Sequence, residues 1–289
     1  MKKIIARFFK LFISLSLFNI FILTKASNAF IPTINEPNIK ELKSTSIKIG
    51  KTAIQLLQYG QHNEAIKLLK LAIKLNPQEI ALWISLAEAQ IRSDKKKNAI
   101  ISLNKAIKLD PKKESLYFSL ASIYIDLNNP KKAKIIIKKG LSINNKNERG
   151  HFQLGNVEIM LKNYKLALIS FKKSSKINEK FWQSINNEGL ILYELNNLKE
   201  AISKFTLALQ ISNDAEPMLA LAIAKFSSKK NNIESIGLAK NALDSNPKYI
   251  SKDYQAKQLW GEKLQKSAKI LFKTKEMKKV VKAAKEKSQ

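Results

Sequence analysis

The sequence predicts an all-α protein, a solenoid of six helical hairpins closed by a C-terminal capping helix. The 289-residue chain is rich in Lys, Leu, Ile and Ala, which favour helix, and it contains only eight Gly and seven Pro. The phrase EAIKLLKLAIKLNP at 64–77 returns 34 residues later as NAIISLNKAIKLDP at 98–111. Within each phrase the apolar residues follow the spacing of an amphipathic helix, so one structural unit is repeated along the chain.

The first residues have the layout of a secretory signal peptide. A basic head precedes the apolar run 11–23, and small residues stand at Ser27 and Ala29. We predict cleavage after Ala29, which gives an extracytoplasmic protein of the periplasm or thylakoid lumen. A run of 13 residues is short for a membrane span, but an uncleaved membrane anchor stays an alternative, as does a cytoplasmic protein with an apolar start. Residues 30–45 hold two prolines without an apolar period and are predicted to be a linker.

The 34-residue interval holds from residue 46 to residue 249 without insertion or deletion. The six copies are predicted at 46–79, 80–113, 114–147, 148–181, 182–215 and 216–249. One column of the repeat contains only small residues: Ala65, Ala99, Ala133, Ala167, Ala201 and Ser235. Small side chains allow two helices to cross at a short distance, so this column predicts a close helix crossing in every copy.

Each copy divides into two helices joined by a short turn. The second half places Ala65, Leu69, Ala72 and Ile73 at positions i, i+4, i+7 and i+8 of one helix face. The connecting segments are rich in Gly, Asn and Asp, which tolerate the positive φ that a chain reversal needs. Prolines near the ends of several copies stop the second helix before the next copy begins. Each copy is therefore predicted to be a helical hairpin.

After the sixth copy, apolar residues recur with helical spacing as far as Phe272. We predict a capping helix at 250–272 that covers the open side of the last hairpin. Residues 273–289 keep a helix-forming composition but have few apolar anchors, so they are predicted to be a frayed basic tail. The segment 250–289 holds 12 Lys and four acidic residues.

The residue inventory argues against catalysis. The chain has no Cys, which removes thiolate nucleophiles and thiolate metal sites. Its two histidines, His62 and His151, occupy non-equivalent positions of different copies, and His151 is expected to pack rather than to ligate. No metalloprotease, nucleophile-elbow or phosphate-loop motif occurs. We predict a non-enzymatic protein without a cofactor or a metal site.

The formal charge of +29 raises the question of an anionic partner. Such a charge attracts polyanions non-specifically. Specific nucleic-acid recognition relies on Arg, however, and 49 of the 52 basic residues are Lys. No specific nucleic-acid partner is therefore predicted. Solvated lysines from AT-rich codon usage explain most of the charge, and a lysine-driven binder of polyanions or anionic membrane surfaces is the alternative function.

Several copies carry a recognisable pattern of large and small residues. The first helices contain Trp83-x-x-Leu86-Ala87 and Tyr117-x-x-Leu120-Ala121, and the second helices contain Ala167-x-x-x-Phe171 and Ala201-x-x-x-Phe205, with Pro77, Pro111 and Pro247 at the ends of copies. In these residues the chain resembles the tetratricopeptide repeat family. The first and sixth copies depart most from the pattern, as terminal repeats often do.

The resemblance implies a right-handed solenoid in which the first helices line a concave surface that binds a peptide or a helix. Family geometry places two columns of side chains, together with two asparagines, on that surface. These predicted groove residues are Ile84, Ile91, Phe118, Ile125, Phe152, Asn156, Ile159, Asn186, Asn187 and Tyr193. The alternative is that part of this stripe serves packing between repeats.

Taken with the predicted signal, the resemblance implies a protein-interaction scaffold or assembly factor for a membrane or envelope complex. Cyanobacterial members of the family include photosystem assembly helpers, and the Lys-rich, Arg-poor composition is typical of an AT-rich genome. Another protein is the expected partner, and membrane association through either end of the chain is a further possibility.

Overall fold

The computed structural model describes residues 38–228 and 232–288, with only the backbone at residue 232. The predicted signal peptide, its cleavage site and most of the predicted linker lie outside the described residues. The chain divides into two compact units, 1–44 and 45–289. Of the first unit, only 38–44 are described, and they contribute the start of the first helix. None of the described helices is long and apolar enough to span a membrane.

The described residues are all-α and form six hairpins in succession. The hairpins pair α1 (Ile39–Gln58) with α2 (His62–Leu75), α3 (Ile80–Arg92) with α4 (Lys96–Leu109), α5 (Glu114–Asp126) with α6 (Pro130–Ile143), α7 (Glu148–Met160) with α8 (Tyr164–Ile177), α9 (Trp182–Glu194) with α10 (Leu198–Ile211), and α11 (Ala215–Ser227) with α12 (Asn232–Ser245). Helix α1 begins at Ile39, so residues 39–45 are helical where the sequence predicted a linker. Residues 39–45 contain no proline or glycine, so nothing in this segment stops a helix.

The turns inside the first five hairpins repeat the same backbone geometry. The residues with positive φ, between 53 and 74°, are spaced 34 apart: Gly60, Asp94, Asn128, Lys162 and Asn196. At each turn the following amide donates to the carbonyl five residues earlier, for example from Lys95 N to Gln90 O at 2.7 Å. This is the Schellman ending of a helix, which satisfies carbonyls that the helix itself leaves free. At Lys162 a lysine adopts the left-handed conformation that Gly and Asn favour, so the fold imposes this turn even without the preferred residue.

The small column predicted from the sequence is buried at every copy. Ala65, Ala99, Ala133, Ala167, Ala201 and Ser235 are all fully buried. A second close approach occurs where Gly155 of α7 and Gly189 of α9 face the rings of Phe171 and Phe205 on the following helices. Each second helix also packs against the first helix of the next hairpin, and the buried apolar residues of the described hairpins form four clusters along the stack.

A recurring hydrogen bond joins successive hairpins. Trp83 donates from Nε1 to Pro77 O at 2.8 Å, Tyr117 from its hydroxyl to Pro111 O at 3.0 Å, and His151 from Nε2 to Asn145 O at 2.9 Å. His151 therefore takes the place of an aromatic donor in this series, which assigns its Nε2 as the protonated nitrogen. Burial lowers the pKa of His151, in keeping with a neutral ring in a packing role.

The C-terminal region differs from the predicted single capping helix and frayed tail. A short 3₁₀ turn (Pro247–Ile250) leads to α13 (Lys252–Lys257) and α14 (Glu262–Phe272), and a second 3₁₀ turn (Lys275–Met277) leads to α15 (Lys278–Lys287). The break between α13 and α14 falls at Leu259, whose φ is 62°. Helix α15 is not frayed, because Met277 and Ala284 are buried in the contact with α12 and the first 3₁₀ turn.

Candidate protein-interaction surface

The first helices of successive hairpins lie next to one another and form one surface, here called the first-helix face. Contacts between α5 and α7 and between α9 and α11 define it. All ten predicted groove residues belong to these helices, but the structure separates them into two groups. Five are partly buried or exposed on the face: Ile84, Ile91, Ile125, Phe152 and Asn156. Five are buried and therefore cannot meet a partner in this conformation: Phe118, Ile159, Asn186, Asn187 and Tyr193.

Phe118 packs between repeats instead of facing a groove. Its side chain is 8% exposed and lies against two glycines, Gly140 on α6 and Gly150 on α7. A Cβ at Gly140 would come within 2.7 Å of the ring, and one at Gly150 within 2.6 Å. The two glycines thus make the space that the ring occupies, which the sequence analysis missed because it did not pair these positions.

Two further predicted groove residues, Phe152 and Ile159, pack in the core between hairpins. Phe152 contacts the rings of Phe171 and Phe181, with centroid distances of 5.7 and 5.0 Å. Ile159 belongs to the same buried cluster, together with Phe171 and Ile191. Phe152 stays partly accessible, whereas Ile159 does not.

The predicted asparagines form a short polar ladder between α7 and α9. Asn187 donates from Nδ2 to Asn156 Oδ1 at 3.1 Å, and Asn186 donates to Asn187 Oδ1 at 3.4 Å. Asn156 remains partly accessible at one end of the ladder. The Asn187–Asn156 bond therefore joins the fourth and fifth hairpins, and of the three amides only that of Asn156 is left to meet a ligand.

Tyr193 is buried because the C-terminal helix α14 lies on it. Helix α14 contacts both α9 and α11, the first helices of hairpins five and six. The Tyr193 hydroxyl bonds to Ser267 Oγ of α14 at 2.7 Å and to Ser227 Oγ of α11 at 2.8 Å. Three helices thus meet at one phenol, and α14 occupies part of the surface that the sequence assigned to a partner.

The neighbouring residue, Glu194, receives the N-terminus of α14. Its carboxylate oxygens accept from Lys263 N at 3.2 Å and Leu264 N at 3.0 Å. These amides have no acceptor within their own helix, and a carboxylate is favoured at the positive end of a helix dipole. The Lys263 ammonium also donates to Glu194 O and, at 3.0 Å, to Asn196 Oδ1. The chain enters α14 through Gly261, where a Cβ would lie 2.1 Å from Glu194 Cδ.

An apolar stripe completes the docking of α14. Leu264, Ala268 and Leu271 are fully buried and belong to one core cluster with Leu190 and Ala224 of the first-helix face. Trp260, which precedes the helix, donates from Nε1 to Glu216 Oε1 at 2.9 Å. Helix α14 therefore binds as an amphipathic helix in a groove, with apolar anchors along one side and a carboxylate at its N-terminus.

The sequence carries a signal for this covered region at one repeat position of the first helices. One column of the first-helix face holds Glu88, Ser122 and Asn156 in hairpins two to four, and then changes to Leu190 and Ala224. The polar members are accessible, whereas Leu190 and Ala224 are buried beneath α14. A change from polar to apolar at a constant repeat position marks the point where a surface becomes covered.

Hairpins two to four keep an uncovered part of the first-helix face, here called the open face. Ile84, Ile91 and Ile125 form its apolar ladder, and Ile91 is 37% exposed. Gln153 donates from Nε2 to Ser122 Oγ at 2.7 Å and joins α7 to α5 across it. Arg92 pairs with Glu88 at 2.7 Å within α3.

The buried acids of the first helices are held in structural contacts. Glu158 pairs with Lys134 and Glu188 with Lys204, each at 2.7 Å. Burial raises the pKa of the Glu216 carboxyl to about 7, although the Trp260 hydrogen bond opposes this shift. No cluster of three potential metal-ligating side chains occurs among the residues that the structure describes.

Comparisons with known proteins agree with this architecture. A sequence profile of the tetratricopeptide repeat matches residues 50–79, 80–113 and 114–147. The curated proteins compared with the chain include no match. Among solved structures, Pseudomonas aeruginosa PilF is similar with a TM-score of 0.63 at 17% identity, over 76% of this chain and 98% of PilF.

Two further structures show the same likeness. YrrB, described as a tetratricopeptide-repeat protein with an unusual peptide-binding site, has a TM-score of 0.51 at 22% identity, over 65% of this chain and 97% of YrrB. MamA from Desulfovibrio magneticus RS-1 has a TM-score of 0.53 at 14% identity, over 57% of this chain and 94% of MamA. At such identities the likeness concerns the fold. Three consecutive copies, residues 50–147, thus match the tetratricopeptide repeat, and the described hairpins share the fold of tetratricopeptide-repeat proteins.

Proposed function

We propose that this protein is an interaction scaffold that binds an amphipathic helix or an apolar peptide of another protein on its open face. The observation that supports the proposal is the docking of α14, because the same face of hairpins five and six already holds a helix through apolar anchors and a carboxylate. The open face continues that surface with an accessible isoleucine ladder. A protein described as having a peptide-binding site shares the fold.

The open face is suited to a ligand with one apolar side. Ile84, Ile91 and Ile125 come from consecutive first helices and offer anchors to side chains that recur every three or four residues of a bound helix. Ser122 and Asn156 add polar groups beside the ladder. This combination of an apolar stripe with few polar groups is the usual composition of a helix-binding groove.

Two pairs of residues provide a matched test. Ile91→Asp with Ile125→Asp places charges on the open face, and Ile101→Asp with Ile135→Asp does the same on the second helices, where both isoleucines are 59% exposed. The two members of each pair are 34 residues apart. We expect quantitative affinity purification from the native organism to lose specific proteins with the first pair alone, while both variants melt like the wild type. Equal capture by both variants would refute the open face as the binding surface.

The location of this activity is also a proposal. The basic head, the apolar run and the small residues before the predicted cleavage at Ala29 support export, and a role in assembling a membrane or envelope complex outside the cytoplasm follows from it. Intact-mass measurement of the protein from its native host tests this directly. A mature chain that begins at residue 30 supports the proposal, and retention of residues 1–29 in a membrane fraction supports the anchored alternative.

A further inference from the structure

A cleft on the C-terminal cap is lined by none of the open-face residues. It has a volume of about 680 Å³ and lies between the first 3₁₀ turn, α13, α14 and α15. This volume is within the range of small-molecule sites, roughly 300 to 1,000 Å³. The cleft is on the side of α14 away from its buried stripe, so a ligand could enter while α14 stays docked.

Three apolar side chains line the cleft, together with Gln255 and Gln265. Ile250 from the 3₁₀ turn, Phe272 from the end of α14 and Val281 from α15 contribute side chains that are each only partly buried. Partly covered apolar surface on three separate elements gains free energy when an apolar group fills the space between them. The walls therefore favour an acyl chain.

The rim of the cleft is strongly basic. Five exposed lysines from α13, α14 and α15 and their flanks line it: Lys252, Lys266, Lys269, Lys273 and Lys285. Glu262 is the acidic residue among the lining side chains, and its one ion pair there is a long contact of 3.8 Å with Lys266. The other four lysines make no ion pair within residues 38–228 and 232–288. An anion at the rim would relieve the mutual repulsion of these ammonium groups.

We propose that this cleft binds a single-chain anionic amphiphile, an acyl chain with a carboxylate or phosphate head group. The chain lies along Ile250, Phe272 and Val281, and the head group meets the lysine rim. A free single-chain ligand is preferred over a bilayer, because the apolar surface is recessed among three elements whereas bilayer binding needs apolar side chains that project outward. The proposal does not depend on the open face.

Calorimetric titration with sodium laurate below its micelle concentration tests the cleft. We expect one laurate per chain. Octanoate should bind far more weakly, since each buried methylene contributes about fourfold in affinity. Acetate, which supplies the head group alone, should show no measurable binding, and dodecanol, which keeps only the chain, should bind at least about tenfold more weakly than laurate. Several laurates per chain, or equal binding of acetate, would overturn the proposal.

Charge reversal separates the cleft from the general positive charge of the protein. Lys269→Glu with Lys273→Glu should weaken laurate binding at least about tenfold. Lys138→Glu with Lys139→Glu, two exposed lysines of α6, changes the net charge equally and should have little effect. Equal weakening by both pairs would show attraction by net charge only and refute the site. If Lys269→Glu with Lys273→Glu lowers the melting midpoint, Lys269→Gln with Lys273→Gln replaces it in the titration. This variant should also weaken laurate binding more than the Lys138 and Lys139 control pair does.

Vesicles distinguish the free ligand from a membrane. Sedimentation with phosphatidylglycerol vesicles, compared with phosphatidylcholine vesicles, measures bilayer binding by the same variants. Laurate binding that depends on Lys269 and Lys273 supports the proposal whatever the vesicles show. Vesicle binding without any laurate binding would overturn it in favour of a surface electrostatic contact.

Discussion

Gly155→Ala is the sharpest test of how closely the helices of one hairpin cross. In the interior of an exposed helix this substitution is stabilising, because alanine is favoured over glycine by about 1 kcal/mol. At Gly155 the added Cβ would lie 2.4 Å from Cε1 of Phe171. Carbon atoms in contact normally stay about 3.5 to 4.0 Å apart, so the ring or the helix must move by more than about 1 Å.

The surroundings leave Phe171 no room to move. Its side chain is fully buried, and its ring also contacts Phe152. Overpacking of this kind costs about 1 to 3 kcal/mol, which exceeds the propensity gain. Gly237 in α12 is the matched control, because a Cβ there meets nothing within 4 Å. We expect Gly155→Ala to be destabilised and Gly237→Ala to be stabilised by up to about 1 kcal/mol.

Urea unfolding followed by circular dichroism measures both variants against the wild type. Repeat proteins need not unfold in one step, so midpoints are compared along with extrapolated free energies. If Gly155→Ala were as stable as the Gly237→Ala control, the close crossing of α7 and α8 would be wrong, together with the reason given for glycine at positions 155 and 189.

Three further outcomes follow from the packing and from α14. Ala133→Glu should place a carboxylate in a fully buried position and lower stability by several kcal/mol in thermal melts, while Lys131→Glu on the same helix should change little. Because the folded-state pKa of Glu216 is raised to about 7, the folded state binds more protons, and stability should fall as pH rises from about 5 to 8. The Glu216 contribution is at most about 3 kcal/mol, and Glu216→Gln should flatten the pH dependence of the melting midpoint; an unchanged slope would contradict the assignment. Glu194→Ala should remove the acceptor at the N-terminus of α14 and speed hydrogen exchange of amides 263–271, with Glu179→Ala as the exposed control. Unchanged exchange in both variants would show that the carboxylate does not hold α14.

The repeat pattern predicted the fold class well, because its signals are local. A small residue every 34 positions requires a close crossing, and Gly, Asn or Asp stands at the positive-φ position of four turns, while Lys162 takes it in a fifth. The repeat positions predicted the accessibility of the groove residues less well. Phe118 and Phe152 occupy the same repeat position, yet Phe118 is buried against Gly140 and Gly150 while Phe152 stays partly accessible. The exposure of each ring depends on residues at other repeat positions, such as the two glycines beside Phe118, and a comparison within one repeat position leaves these residues out.

By itself, the sequence determined that this chain is a stack of helical hairpins, because each hairpin is specified by residues within 34 positions of one another. Only the tertiary structure decided which part of the first-helix face is covered. The contact that decides it joins Glu194 to Leu264 across 70 residues, and it depends on a turn at Leu259 and Gly261 that breaks an otherwise helical pattern. A periodic sequence specifies the structure of each repeat through residues that are close in the chain. The position of a segment outside the repeats, such as α14, depends instead on the surface that the folded repeats form.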